Sequence, residues 1–216
     1  MPLHTNRDIG HESRLLIWEI EEPPEWFLEA LHLDEDELLQ YNRFRTDQRR
    51  VHWLAYRHLL KNVVGKGKQI RVKYDPHSKP FIDLSDEHIS VSHSGKFAAV
   101  ITSKSSRVGI DIEQIHPRLH RVAGKFLSPE EGNAEDTELS TEHLCLHWCA
   151  KEAIYKLHGE RELDFLKHIR ILKPEENPNG MLAGRIIQNG SLQECELRAE
   201  KIEDYYLVIA MNSIGS

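Results

Sequence analysis

The sequence predicts an α+β protein in two halves, each a small antiparallel sheet packed on helices. Three observations lead there. Short β-like runs joined by tight turns alternate with helical patterns, in the order strand, helices, strands, helices, strands. The 216 residues suffice for one large domain or two small lobes with real cores. No low-complexity linker separates the halves, which meet near Ser103 to Arg107, so packed lobes over 1–105 and 106–216 are expected.

The elements follow in order. Arg14 to Glu21 reads as a first strand, stopped by Pro23-Pro24. Glu25 to His32 suits a short helix. Asp34 caps the next one, with Glu37 as its capping-box partner. Asp47 to Val64 carries Val51, Leu54 and His58 at helical spacing, and Arg43, Arg45, Arg49 and Arg50 crowd its start. A helix N-terminus favours acids, so these arginines either form a solvated face or serve an anion. Gly65-Lys66-Gly67 is a turn. Strands are expected at Gln69–Tyr74, His88–Ser92, Phe97–Ser103 and Val108–Glu113. His116-Pro117 starts a helix to about Phe126, and Ser128-Pro129 starts another. An acidic loop, Gly132 to Leu139, precedes the strongest helical stretch of this half, Thr141 to His158. The remaining strands are Leu166–Leu172, Leu182–Gln188, Glu194–Ala199 and Tyr205–Met211, with a loop at Glu175–Gly180.

Composition narrows the function classes. Hydrophobic residues make up 39% and charged residues 29%, as in a globular domain, and no run approaches the ~18 apolar residues of a membrane span. Met1 to Gly10 lacks the apolar core of a signal peptide, so a cytoplasmic setting is expected. Cys145, Cys149 and Cys195 read as reduced thiols. A net charge of −7 gives no global attraction for nucleic acid, so an anionic partner must be met by a local basic patch. Histidines such as His4, His32, His52, His58, His88 and His168 are scattered and read as surface or core residues.

Three stretches carry chemistry. In Val108-Gly109-Ile110-Asp111-Ile112-Glu113, strand alternation puts Asp111 and Glu113 on one face, roughly 7 Å apart, with Ile110 and Ile112 on the other. Two such carboxylates repel unless a proton or a cation joins them, and Mg²⁺ is the first candidate. The other reading is a solvated strand end. In the second stretch, Trp148 to Lys156, Glu152 and Lys156 stand four apart on one helix face beside Lys151. They form either an ordinary ion pair or a third metal carboxylate flanked by lysines for phosphate. In the third, Ser92 and His93 end a strand before Gly95, as a plain turn or a small anion site. His143, Cys145, His147 and Cys149 hint at zinc, but Cys145 falls on another face and no second ligand pair stands at a proper distance.

Taken together, Ser78-Lys79-Pro80-Phe81, Val91-Ser92-His93-Ser94-Gly95, Val108 to Glu113, Phe126-Leu127-Ser128-Pro129-Glu130-Glu131 and Trp148 to Lys156 resemble the 4′-phosphopantetheinyl transferase superfamily. The length and N-terminal half look like its two-lobed class, the type that activates surfactin synthetase. The resemblance implies two pseudo-symmetric lobes with coenzyme A in the cleft between them. It also implies transfer of the phosphopantetheine arm of CoA to a serine of an acyl or peptidyl carrier protein, releasing 3′,5′-ADP. Asp111, Glu113 and Glu152 match the Mg²⁺ carboxylates, and Ser92 and His93 the pair on the 3′-phosphate. Lys79 matches a lysine near the CoA phosphates, and Lys151 and Lys156 match the lysines beside the pyrophosphate. Arg49 or Arg50 would supply a basic contact from the first lobe. Glu152 is the candidate general base and Lys156 the partner of the leaving group. With both lobes in one chain, a monomer completes its own site.

Two departures from the family pattern stand out. Ser78 replaces the glycine of Gly-Lys-Pro, so that loop must form without glycine's freedom at positive φ. The family's Gly-x-Gly-Leu reads Gly159-Glu160-Arg161-Glu162-Leu163. Arg118, Arg121 and Lys125, three and four apart, form either a solvated face or a docking stripe for an acidic carrier. Two rival functions share these residues: a Mg²⁺-dependent hydrolase of CoA-like diphosphates, and a non-catalytic binder of CoA or carrier.

Overall fold

A computed structural model describes residues 3–65, 70–132, 139–159, 163–172 and 182–213. The chain divides into two compact units, Met1–Ser105 and Ser106–Ser216. Each unit is an antiparallel sheet packed on helices, so the protein is α+β.

The N-terminal unit begins with a hairpin of β1 (Leu3–Gly10) and β2 (Ser13–Glu19). Its turn residues His11 and Glu12 both take positive φ, 53° and 52°, as a twist-matched two-residue hairpin turn requires. The sheet continues through β6 (Phe97–Ser103) to β5 (His88–Ser94), in the order β1-β2-β6-β5. A small second ribbon pairs β3 (Val72–Tyr74) with β4 (Pro80–Ile82). Three helices complete the unit: α1 (Pro24–Leu31), α2 (Glu35–Arg43) and α3 (Asp47–His58), of which α3 packs on β5 and β6 and against α1. Pro24 opens α1 where a missing N–H costs nothing. The capping box at Asp34 and Glu37 forms, with both reciprocal bonds present at 2.9 and 3.2 Å. The helix stripe and the sheet meet in a core of Leu16, Trp18, Phe27, Trp53, Leu54 and Val100.

The C-terminal unit is one five-stranded sheet, β7-β11-β10-β9-β8, in which β7 (Val108–Gln114) is an edge strand. The others are β8 (Ile169–Leu172), β9 (Ala183–Gln188), β10 (Ser191–Ile202) and β11 (Tyr205–Asn212). Helix α4 (Thr141–His158), capped by Ser140 and closed by Gly159 at φ 80°, packs Ala150, Ala153, Ile154 and Leu157 on the sheet.

The structure differs from the sequence reading in several places, among them the end of the Asp47–Val64 helix, where Leu59–Val64 winds as a π-helix. Leu3–Gly10, polar on both faces, is nevertheless a strand, because pairing with β2 satisfies its backbone along one edge. Pro117–Lys125 winds as a 3₁₀ helix, tighter than the helix expected. Ser128-Pro129-Glu130-Glu131 closes as a turn instead of opening a helix, with Glu131 folded back onto the Ser128 amide at 2.9 Å. The turn at Gly65-Lys66-Gly67, the acidic loop between Gly132 and Leu139, residues 160–162 and the Glu175–Gly180 loop lie wholly or partly outside the described residues.

Candidate active site

The site is built where β7 meets α4. Gly109, Asp111 and Glu113 alternate onto the face of β7 that looks at the helix, while Ile110 and Ile112 are buried on the other face. A Cβ at Gly109 would lie 2.0 Å from the Ala153 carbonyl oxygen and 2.6 Å from the Leu157 nitrogen. Only glycine permits this approach. Two thiols reinforce the contact: Cys149 Sγ donates to the Asp111 carbonyl at 3.1 Å, and Cys145 Sγ to the Glu113 carbonyl at 3.5 Å. Burial pushes the Cys145 thiol up to about 12, so it remains protonated and can donate.

This packing gathers the sequence candidates. Lys156 Nζ donates to Asp111 Oδ1 at 2.7 Å and to the Ile110 carbonyl at 3.1 Å. Arg118 pairs with Glu113. Glu152, on the same helix face as Lys156, has its carboxyl raised to about 7, first by burial and then by the charge of Asp111, with Lys156 opposing and Glu113 adding. Three carboxylates therefore face one ammonium and one guanidinium. The site is short of positive charge, and Glu152 makes up the difference by holding a proton near neutrality. An all-oxygen, acid-rich donor set of this kind suits a hard divalent cation. Among the described residues, no group of three His, Cys, Asp or Glu side chains is gathered closely enough to hold an ion.

Glu113 and Glu152 line a cleft of about 880 Å³ within the same unit. Trp148, Phe165, Leu119 and Val122 give it an apolar lining, and Arg118, Arg121 and Lys125 a basic one. The apolar and basic linings thus share the cleft with the carboxylates.

Lys151 has a different place from the one expected. Its side chain is 0% exposed, and its ammonium meets Glu131 Oε2 at 2.6 Å and the carbonyls of Phe126, Phe165 and Ile169 at 2.7, 3.0 and 3.0 Å. Three protons against four acceptors leave no donor for a phosphate. The sequence motif places a lysine next to Glu152, but one helix position is a turn of about 100°, and here that turn points into the core. Glu131 completes the lock by accepting the Ile171 amide at 2.7 Å. The His143/Cys145/His147/Cys149 group forms no metal site. The two imidazoles stack at 4.0 Å, His147 Nδ1 bonds the His143 carbonyl, and both thiols serve β7.

The remaining candidates lie in the N-terminal unit. Ser92 is buried on β5, and His93 beside it is half-buried. Arg49 Nη1 lies 3.5 Å from His93 Nε2, whereas Arg50 is held by Asp47 at 2.9 Å and stacks over Tyr41. Geometry thereby separates the two arginines that the sequence left as alternatives. His52, passed over as a scattered histidine, stacks on His93 with ring centres 4.4 Å apart. Its signal in the sequence is the i,i+3 spacing from Arg49 on one helix face. Lys79 sits in the loop between β3 and β4, where its amide is bound by Asp75 Oδ1 at 2.8 Å. Ser78 adopts the left-handed conformation, φ 68°, that the absent glycine would have taken without strain.

Residues 107–210, nearly the whole C-terminal unit, match the 4′-phosphopantetheinyl transferase superfamily. Over this stretch, just under half of its 216 residues, the chain is similar to that superfamily. A 4′-phosphopantetheinyl transferase of Bacillus subtilis strain 168, Sfp, is 32% identical over 111 residues, covering 47% of this chain and 49% of the relative. The 4′-phosphopantetheinyl transferase HetI of Nostoc sp. is 28% identical over 145 residues, 61% of each chain. The chain thus spans about half to three-fifths of the length of these curated relatives. Within the superfamily match lie all the β7 and α4 candidates: Asp111, Glu113, Lys151, Glu152 and Lys156. No described helix is long and apolar enough to cross a membrane.

Proposed function

We propose that the protein transfers the 4′-phosphopantetheine arm of coenzyme A to a serine hydroxyl of an apo acyl or peptidyl carrier protein, releasing 3′,5′-ADP, with Mg²⁺ as cofactor. The observation that carries the reading is the Lys156–Asp111 bond at the β7–α4 contact, with Glu152 charge-coupled to Asp111, Lys156 and Glu113, inside a superfamily match.

Asp111, Glu113 and Glu152 would hold the Mg²⁺. When bound, it would neutralise the charge of the diphosphate undergoing substitution. Glu152, lining the cleft, takes the proton of the attacking serine. The serine oxygen bonds to the phosphorus that bears the pantetheine, and that phosphorus loses its bond to the bridging oxygen. The electron pair departs with 3′,5′-ADP. Lys156, now shared between Asp111 and a backbone carbonyl, is poised to share its protons with the leaving phosphate. Lys151 takes no part in phosphate binding. The N-terminal unit, residues 1–105, supplies contacts to the CoA phosphates through Ser92, His93, Arg49 and Lys79. The C-terminal unit, residues 106–216, supplies the metal site and carrier docking. Arg121 and Lys125 in the cleft lining suit an acidic carrier. A chain that contributes both sets of residues acts as a monomer. Free, buried Cys145, Cys149 and Cys195 fit a reducing cytoplasm.

One incubation tests this reading: the full chain with CoA and Mg²⁺, with and without an apo carrier, followed by nucleotide analysis. The proposal expects 3′,5′-ADP only when the carrier is present. Release without carrier supports a hydrolase, and retention of intact CoA with no release supports a binder. Either result overturns the proposal.

A further inference from the structure

The N-terminal unit contains a second imidazole that the proposed chemistry does not use. His52 is buried on α3, and its Nε2 lies 2.8 Å from the Gly95 carbonyl. A carbonyl only accepts, so Nε2 carries the proton and donates. Gly95, at φ 53°, forms the turn of the β5–β6 hairpin, two residues after His93. His52 therefore grips the turn that presents His93. It also covers the His93 ring: the two imidazoles stack with centres 4.4 Å apart and planes inclined by 19°. On the same face of α3, one turn earlier, Arg49 reaches His93 Nε2 at 3.5 Å. Thr46 caps this turn by accepting the Arg49 amide at 3.3 Å, so Arg49 and His52 are held on a rigid helix start.

The chemistry of the pair is asymmetric. His52 stays neutral, because burial disfavours its charged form and the Arg49 charge adds to that, against the Gly95 bond. His93 stands half-buried beside a guanidinium. An anion arriving there meets the Arg49 guanidinium and the His93 ring, which a neutral aromatic face backs. Such a face favours a cation stacked on it and costs no charge repulsion of its own.

We propose that His52 is a positioning residue that holds the His93 ring beside Arg49, so that the pair selects a phosphate monoester, the 3′-phosphate of coenzyme A. This rests on the transferase reading and adds a specificity determinant to it. The ring of His52, more than its hydrogen bond, is the working part.

The test measures binding of CoA and of 3′-dephospho-CoA to the full chain by calorimetry, and uses the ratio of the two affinities. A merely structural role would weaken both ligands together and leave the ratio alone. His52→Gln keeps an N–H for the Gly95 carbonyl but removes the ring, and His52→Phe keeps a ring over His93. The ratio is expected to fall about tenfold in His52→Gln, the upper end of what an aromatic pair contributes, and to stay within about threefold in His52→Phe. Melting curves verify that each variant is folded, and having two variants guards against the failure of either. A wild-type ratio in folded His52→Gln overturns the role of His52 and leaves the transferase reading intact. Wild-type protein that binds CoA without preferring it over 3′-dephospho-CoA removes the phosphate site itself, and the inference with it. Wild-type protein that binds neither ligand refutes the transferase reading, on which the inference depends.

Discussion

Lys151 shows how one residue's direction decides its role. It stands next to Glu152 in sequence, yet its ammonium ties Phe126, Glu131, Phe165 and Ile169 together inside the unit. Two of these pack on Trp148, Phe126 edge-to-face and Phe165 at a tilt, and Trp148 lines the cleft together with Phe165. Lys151 thus supports the cleft wall. Truncating it leaves the Glu131 carboxylate buried with its charge uncompensated. Lys151→Met is expected to lose about 3–5 kcal/mol of stability in urea unfolding. A phosphate-binding lysine would behave otherwise, with normal unfolding and a selective loss of CoA affinity. Burial of this residue was not legible in the sequence, because its partner Glu131 lies 20 positions away in a turn that reads like a helix start. Ser78 is the opposite case. The missing glycine of the Lys79 loop is visible in the sequence, and the structure answers it with a serine at φ 68°.

At the scale of elements, the site is a strand and a helix brought unusually close. The alternation of Asp111 and Glu113 and the i,i+4 spacing of Glu152 and Lys156 are both local periodicities, so each half of the site was legible. Their approach was not, because it depends on the Cβ that Gly109 lacks and on what lies across from it. Gly109→Ala would place a methyl 2.0 Å from the Ala153 oxygen, a backbone atom that cannot rotate aside. The variant is expected to lose more than about 3 kcal/mol of stability and its transfer activity with it, measured by thermal melting and by turnover. Helix α4 also carries a pH dependence. His147 is buried, stacked on His143, and its pKa is lowered to about 4, chiefly by burial and then by His143. Above the unfolded value near 6.5, both states hold a neutral ring and no penalty exists. As pH falls through 6.5 the unfolded chain takes up a proton that the folded chain refuses, so stability is lost between pH 6.5 and about 4. Melting temperature should therefore drop across that window, and His147→Gln should flatten the drop.

Across the whole molecule, a net charge of −7 coexists with a basic cleft lining of Arg118, Arg121 and Lys125. A local basic face on an acidic protein would steer an acidic partner, as the proposed carrier docking requires. The α+β class and most strands were legible because antiparallel strands and helices differ in apolar period. The edge strand β1 was not, since its polar residues carry no period and only pairing with β2 makes it a strand. The central claim is that Asp111 belongs to the centre that moves the phosphopantetheine arm. The most direct test is the intact mass of an apo carrier protein after incubation with CoA, Mg²⁺ and either wild-type protein or Asp111→Ala. The account predicts that wild type adds the arm and that Asp111→Ala does so on the order of 100-fold more slowly or worse. A carrier left unmodified by wild type, or modified equally fast by Asp111→Ala, would contradict it.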